Sequence, residues 1–149
     1  MQITSPAFDH KTHIPAKYSY RGGNLSPPLN FSGVPSSAKS LALVCHDPDA
    51  PRSDGFTHWV VWNIPATVKG FKEGDLPDDV IVGVSDFDMT VWGGPEPPIG
   101  THRYNFYLYA LDTVLDLPIN TSRPELESAM KGHIVDQAEL TGLYSANKK

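Results

Sequence analysis

The chain has 149 residues, 40% of them apolar and only 19% charged, which suits one domain over 1–149 with a real core and excludes a disordered polyelectrolyte. A formal net charge of -5, from 17 acidic and 12 basic residues, argues against nucleic acid as a partner, because backbone binding needs clustered Lys and Arg. The 14 prolines and 12 glycines run through the whole sequence and exclude long helices, so short strands joined by Pro/Gly loops are expected: a mainly β fold.

In chain order, Pro6, Pro15, Gly22-Gly23, Pro27-Pro28 and Pro35 divide residues 1–37 into turns. Within them Tyr18 and Tyr20 alternate about Ser19 and suggest a short strand. Residues 40–46 (Ser-Leu-Ala-Leu-Val-Cys-His) read as a buried strand, and the Asp/Pro/Gly-dense stretch 47–56 as a loop. Residues 57–64 (Thr-His-Trp-Val-Val-Trp-Asn-Ile) are β-branched and aromatic and stop at Pro65, which makes them the clearest strand. Residues 80–84 form another, with Gly83 marking a bulge or close contact. Residues 92–101 are too rich in Pro and Gly for a regular element. The aromatic run 103–111 then gives a long strand with Tyr104, Phe106, Leu108 and Ala110 on one face. Ser122-Arg123-Pro124-Glu125 is a capping box with Pro in the first turn, and Gly132 a stop, so the one clear helix is expected near 122–131. Alternation through 137–142 favours a closing strand. Lys148-Lys149 reads as a solvated tail.

No run approaches the roughly 18 apolar residues of a transmembrane span. The N-terminus lacks a basic region followed by an apolar run, so no secretory signal is expected. The single Cys45 cannot form an intramolecular disulfide, and a cytoplasmic location follows as the simplest expectation. Sitting inside an apolar strand, it reads as an inert thiol.

Polar residues collect at strand ends in three places: His46-Asp47-Pro48-Asp49-Ala50-Pro51, Thr57-His58-Trp59, and Gly93 to Tyr104. If the three strands are neighbours, Asp47, His58, His102 and Tyr104 converge on one pocket, with Gly93-Gly94 offering backbone N–H groups for an anion nest. Two imidazoles, a carboxylate, a phenol and a glycine turn can hold a small phosphate or carboxylate. Each residue also has a structural reading. Asp47-Pro48-Asp49 opens turns well, an isolated His often donates to a backbone carbonyl, and Tyr104 suits a core.

The ordered motifs resemble the phosphatidylethanolamine-binding protein family, in its short bacterial and archaeal form also called Raf kinase inhibitor-like. Asn24-Leu25-Ser26-Pro27-Pro28-Leu29 with Gly33-Val34-Pro35 is similar to the family's opening. Asp47 to Pro51, Thr57 to Pro65 and Gly94 to Tyr104 are similar to its three signatures. The resemblance implies an antiparallel β-sandwich with one or two short peripheral helices and a small pocket at one edge. It implies that Asp47, Asp49, Pro51, His58, Gly94, His102 and Tyr104 line that pocket, with Pro97 and Pro98 at its rim. It also implies binding of small anions, such as phosphate, carboxylate or a phospholipid head group; the leading expectation is a non-enzymatic binding protein, with no cofactor and no metal. Glu96 departs from the pattern and adds negative charge there. With so little chain after Tyr144, the C-terminal helix that gates the pocket in longer eukaryotic members is not expected.

Asp47 beside an anion needs a role. It can orient His58 and favour its protonated form, accept from a phosphate OH, or accept from a ligand ammonium. Binding through cationic His58 and His102 is expected to weaken as pH rises through the histidine range. Two other function classes stand beside this one. A His/Asp pocket can serve an enzyme, although His46/Asp47, His58 and His102 match no compact metal motif. The chain can also act as a kinase or protease inhibitor through protein–protein contact. A homodimer is a further possible partnership.

Overall fold

A computed structural model describes residues 1–146. The Lys148-Lys149 tail lies outside the described residues. The strands are β1 (Gln2–Thr4), β2 (Thr12–His13), β3 (Leu29–Ser32), β4 (Ser40–Asp47), β5 (Phe56–Pro65), β6 (Gly70–Phe71), β7 (Ile81–Val82), β8 (Thr101–Leu111) and β9 (Ile134–Ser145), with one helix, α1 (Arg123–Met130), before β9. They form two sheets, a three-stranded β1-β3-β6 and a six-stranded β2-β9-β8-β4-β5-β7. The long strands pair antiparallel, while the short β2 joins the edge of β9 in parallel, so the larger sheet is mixed.

Period-two alternation sorts the apolar residues of the central strands onto two faces. Leu41, Leu43, Cys45, Trp59, Val61, Phe106, Leu108 and Ala110 face the small sheet and pack against its Ile3, Phe31 and Phe71. Ala42, Val44, Val60, Trp62 and Leu111 face the other way and are covered by Leu126 and Met130 of α1. Both faces of β4 and β5 are therefore buried, which is why those strands read as continuous apolar runs. The helix starts as its sequence dictates. Ser122 and Glu125 form the reciprocal capping box, and Pro124 occupies the first turn where its missing N–H costs nothing. Among the described residues no helix is long and apolar enough to cross a membrane.

Two local expectations fail. Tyr18 and Tyr20 do not form a strand, because Ala16–Tyr18 make a single 3-10 turn after Pro15, which presets the backbone at its entry. The strand expected over 80–84 shrinks to Ile81–Val82, because the chain beyond it bonds sideways: Gly83 donates to Val60 and Val84 to Thr121. Gly83 is a close contact, since a Cβ there would lie 2.4 Å from the Thr121 carbonyl oxygen and 2.5 Å from the Trp62 ring.

Candidate functional site

The C-terminal end of β4, the start of β5 and the start of β8 lie side by side, so Asp47, His58, His102 and Tyr104 come together at one end of the sandwich. Asp47 continues the inward-facing row of Leu41, Leu43 and Cys45, and His102 and Tyr104 continue that of Phe106 and Leu108. His58 reaches the same place through a β-bulge. Cys45 pairs with Trp59 and His46 with Thr57, so His58 is the extra residue opposite no partner. A bulge re-aims a side chain that strict alternation would send to the other face. All four residues are 5% exposed or less.

They open on a cavity of about 320 Å³, closed by Pro51, Arg52, Phe56, Phe87, Glu96, Pro97 and Pro98. Of the nine expected site residues, seven line it: Asp47, Pro51, His58, Pro97, Pro98, His102 and Tyr104. Asp49 and Gly94 do not. Asp49 is turned outward as a clamp, accepting from Arg103 Nη2 at 2.8 Å, Arg103 Nε at 3.0 Å and the Arg103 backbone N–H at 2.9 Å. The guanidinium holds the Asp49 carboxyl down to about 2. Gly94 is required by packing. A Cβ there would stand 2.1 Å from the Tyr18 carbonyl oxygen. The anion nest expected at Gly93-Gly94 is not available, because both N–H groups are already used. Gly93 donates to the His58 carbonyl at 3.2 Å and Gly94 to Asn24 Oδ1 at 2.7 Å.

Hydrogen bonding sets both imidazole tautomers. His102 donates from Nδ1 to Asp47 Oδ2 at 2.6 Å, and His58 donates from Nδ1 to the Gly93 carbonyl at 2.7 Å. A carboxylate and a carbonyl only accept, so each Nδ1 carries the proton and each Nε2 is left for a ligand. The other Asp47 oxygen accepts from the Asp49 N–H at 2.8 Å. Asp47 therefore orients His102, not His58, and both its oxygens are engaged, which answers its charge before any anion arrives.

His58 is not a cation. Its ring sits 5.1 Å from Phe56, 5.3 Å from Phe87 and 5.1 Å from Tyr104, between ring centroids. Burial is the largest influence and lowers its pKa to about 4, against opposing contributions from the Gly93 bond and the Asp47 charge. His58 is neutral at physiological pH and presents Nε2 as an acceptor, which corrects the expectation of two cationic histidines. Tyr104 is held in its neutral form, because burial and the nearby Asp47 charge push its pKa far upward. Its hydroxyl donates to no acceptor among the described residues, while a hydrogen bond from the Glu96 backbone N–H opposes the rise. Cys45 lies fully buried behind the site, with its thiol pushed up by burial.

Arg52, Phe56 and Phe87 escaped the sequence reading. Faint signals existed: Arg52 is the lone base in a loop that holds Asp47, Asp49 and Asp54, and Phe87 the lone aromatic between Asp86 and Asp88.

Comparison with known proteins agrees with this architecture. The family model described as phosphatidylethanolamine-binding protein matches residues 4–145. A UPF0098 protein of Methanothermobacter thermautotrophicus is 48% identical over 97% of this chain and 98% of its own. The crystal structure of a putative phosphatidylethanolamine-binding protein homolog, CT736 of Chlamydia trachomatis, superposes with a TM-score of 0.92 at 43% identity, covering 97% of this chain and 96% of that one. E. coli YbcL, described as a new member of the mammalian PEBP family, gives 0.91 at 33% identity, covering 97% of each chain.

Proposed function

The chain belongs to the phosphatidylethanolamine-binding protein family, and from that premise we propose that it binds small oxyanions without chemical turnover, the shared chemistry being that of a phosphate or carboxylate whether free or carried on a lipid head group. One observation carries the reading. On a cavity walled by proline and aromatic side chains, the Tyr104 hydroxyl is a buried donor without a protein acceptor, beside His102 whose Nδ1 is committed to Asp47. Buried polar groups are normally satisfied, and an exception in a cleft calls for a ligand that completes it. Tyr104 donates to an anion oxygen. His102 donates from Nε2 when protonated. Neutral His58 accepts from an oxygen that still carries a proton, as in a hydrogen phosphate. The volume of about 320 Å³ suits a head group and is at the small end for ligand sites.

The test is calorimetric titration of inorganic phosphate and of acetate into the wild type and Tyr104→Phe. Loss of one charge-assisted hydrogen bond is expected to weaken binding by roughly ten- to a hundredfold. The ligand-free Tyr104→Phe protein is expected to be as stable as the wild type or more so, because it loses a buried donor that nothing satisfies. Equal affinity of the two proteins, or no binding to the wild type by about 10 mM of either anion, refutes the reading.

A further inference from the structure

Arg52 is the one permanently charged cation among the residues lining the cavity, and it is loosely held. Its Nη1 stands 3.6 Å from Asp86 Oδ2, beyond a direct hydrogen bond. That Asp86 oxygen already accepts the Thr57 backbone N–H at 2.7 Å. The Arg52 side chain is 52% exposed and that of Asp86 36%, the setting in which an ion pair contributes little. The guanidinium carbon is nevertheless kept at the mouth of the cavity, 5.2 Å from the centroid of Phe56, whose ring forms part of the wall.

The loop that carries Arg52 is anchored independently of it. Asp47 accepts the Asp49 N–H, and Asp49 grips Arg103 on β8, so a change in Arg52 pairing needs only side-chain rotation. The remaining charges around the cavity are already answered. Asp47 is engaged by His102 and the Asp49 N–H, Glu96 is paired with Arg21, and His58 is uncharged. A carboxylate, with one charge and two oxygens, is served by Tyr104 and protonated His102 alone. A phosphate monoester dianion brings a second charge and a third free oxygen, and no deep cavity group is left to meet them. A guanidinium fork at the mouth fits that surplus.

Building on the anion-site reading, we infer that Arg52 is a displaceable counter-ion that leaves Asp86 to grip the bound anion, and that it makes the cavity select dianionic phosphate monoesters over carboxylates. Asp86 then acts as the resting partner that holds the guanidinium in place between ligands.

The experiment titrates methyl phosphate and acetate separately into wild type, Arg52→Gln and Asp86→Asn at one ionic strength. The pH is about 7, above the second phosphate pKa of about 6, so that the monoester is largely dianionic. Arg52→Gln is expected to weaken methyl phosphate by about tenfold or more and acetate by less than about threefold, so the ratio of affinities collapses. Asp86→Asn, which keeps an oxygen for the Thr57 N–H, is expected to tighten methyl phosphate by freeing Arg52. If Arg52→Gln leaves the ratio unchanged while both anions bind, the inference falls and the anion site stands. If neither anion binds the wild type, both fall. Unchanged urea midpoints are expected for both variants, since the two side chains are substantially exposed.

Discussion

His58→Asn isolates the energetic consequence of burying an imidazole among three aromatic rings. Asparagine keeps a side-chain N–H near the Nδ1 position, so the bond to the Gly93 carbonyl at 2.7 Å has a substitute while the titrating group is gone. In the folded protein burial holds His58 at about 4, against an ordinary 6.5. Between those values the unfolded chain takes a proton that the folded chain refuses. The associated stability is thus present in full above about pH 6.5 and is lost as pH falls toward 4. At about 1.36 kcal/mol per pKa unit, that span corresponds to about 3 kcal/mol. His46, whose pKa burial also lowers, loses stability in the same direction, but it is present in both proteins and cancels in the difference. Asp47 and Asp86, the carboxylates that act on His58, are likewise unchanged. Urea unfolding of both proteins between about pH 7.5 and pH 4.5 supplies the curves. The wild type is expected to be the more stable at neutral pH, and its advantage to shrink by about 2–3 kcal/mol by about pH 4.5, short of the full span because the folded-state histidine is only partly protonated there. Parallel curves would show that His58 charges in the folded state, and the neutral-acceptor role would go with them.

Two further predictions concern the frame around the cavity. The Asp49–Arg103 clamp is expected to show a coupling of about 1 kcal/mol in an Asp49→Asn/Arg103→Gln cycle, less than the Asp49 pKa alone would give because the Arg103 side chain is 57% exposed. The sign follows from a depressed carboxyl: the coupling is full above about pH 4 and fades as pH falls toward 2, as followed by urea midpoints. Gly94→Ala sets a Cβ 2.1 Å from the Tyr18 carbonyl oxygen, a backbone atom that cannot rotate away, and is expected to cost about 1–3 kcal/mol or prevent folding. Gly100→Ala is its control. There, no heavy atom lies within 4 Å and only the left-handed φ of +71° is strained, so a cost of about 1–2 kcal/mol is expected in the same unfolding assay.

The parts of this fold that could be read from the chain are those whose information is local. β4 and β5 are buried on both faces and so appear as unbroken apolar runs, and α1 begins at a capping box that needs four consecutive residues. β1, β2, β6 and β7 are two or three residues long and exist only because a neighbour supplies their hydrogen bonds. Only β7 is marked in the sequence, by the β-branched residues of 80–84; nothing comparable marks β1, β2 and β6. The same division runs through the site. Asp47, His102 and Tyr104 follow from strand parity, whereas the turn of His58 depends on a register slip between Cys45 and His46 that no residue type announces. Gly93 and Gly94 looked free because glycine leaves its N–H open. Their acceptors, the His58 carbonyl and Asn24, come from segments distant in sequence. Arg52 and Phe87 arrive at the cavity on loops, where side-chain direction has no periodicity to follow.

What the site asks of the fold follows from these bonds. His58 and His102 each spend one ring nitrogen on a protein acceptor, which fixes the ring plane and leaves the other nitrogen presented at the cavity without a ligand to hold it. Tyr104 gives its proton to no protein acceptor, and a buried donor left in that state has a cost that an occupant can offset. A phenylalanine there would make a more comfortable core. The tyrosine therefore stands as a place where stability yields to binding, and the long β8 strand, paired along its length with β4 and β9, is the element rigid enough to bear it. Preorganisation of this kind removes the ordering cost from the binding step, so a small anion with few atoms can still be held by a few well-placed polar groups.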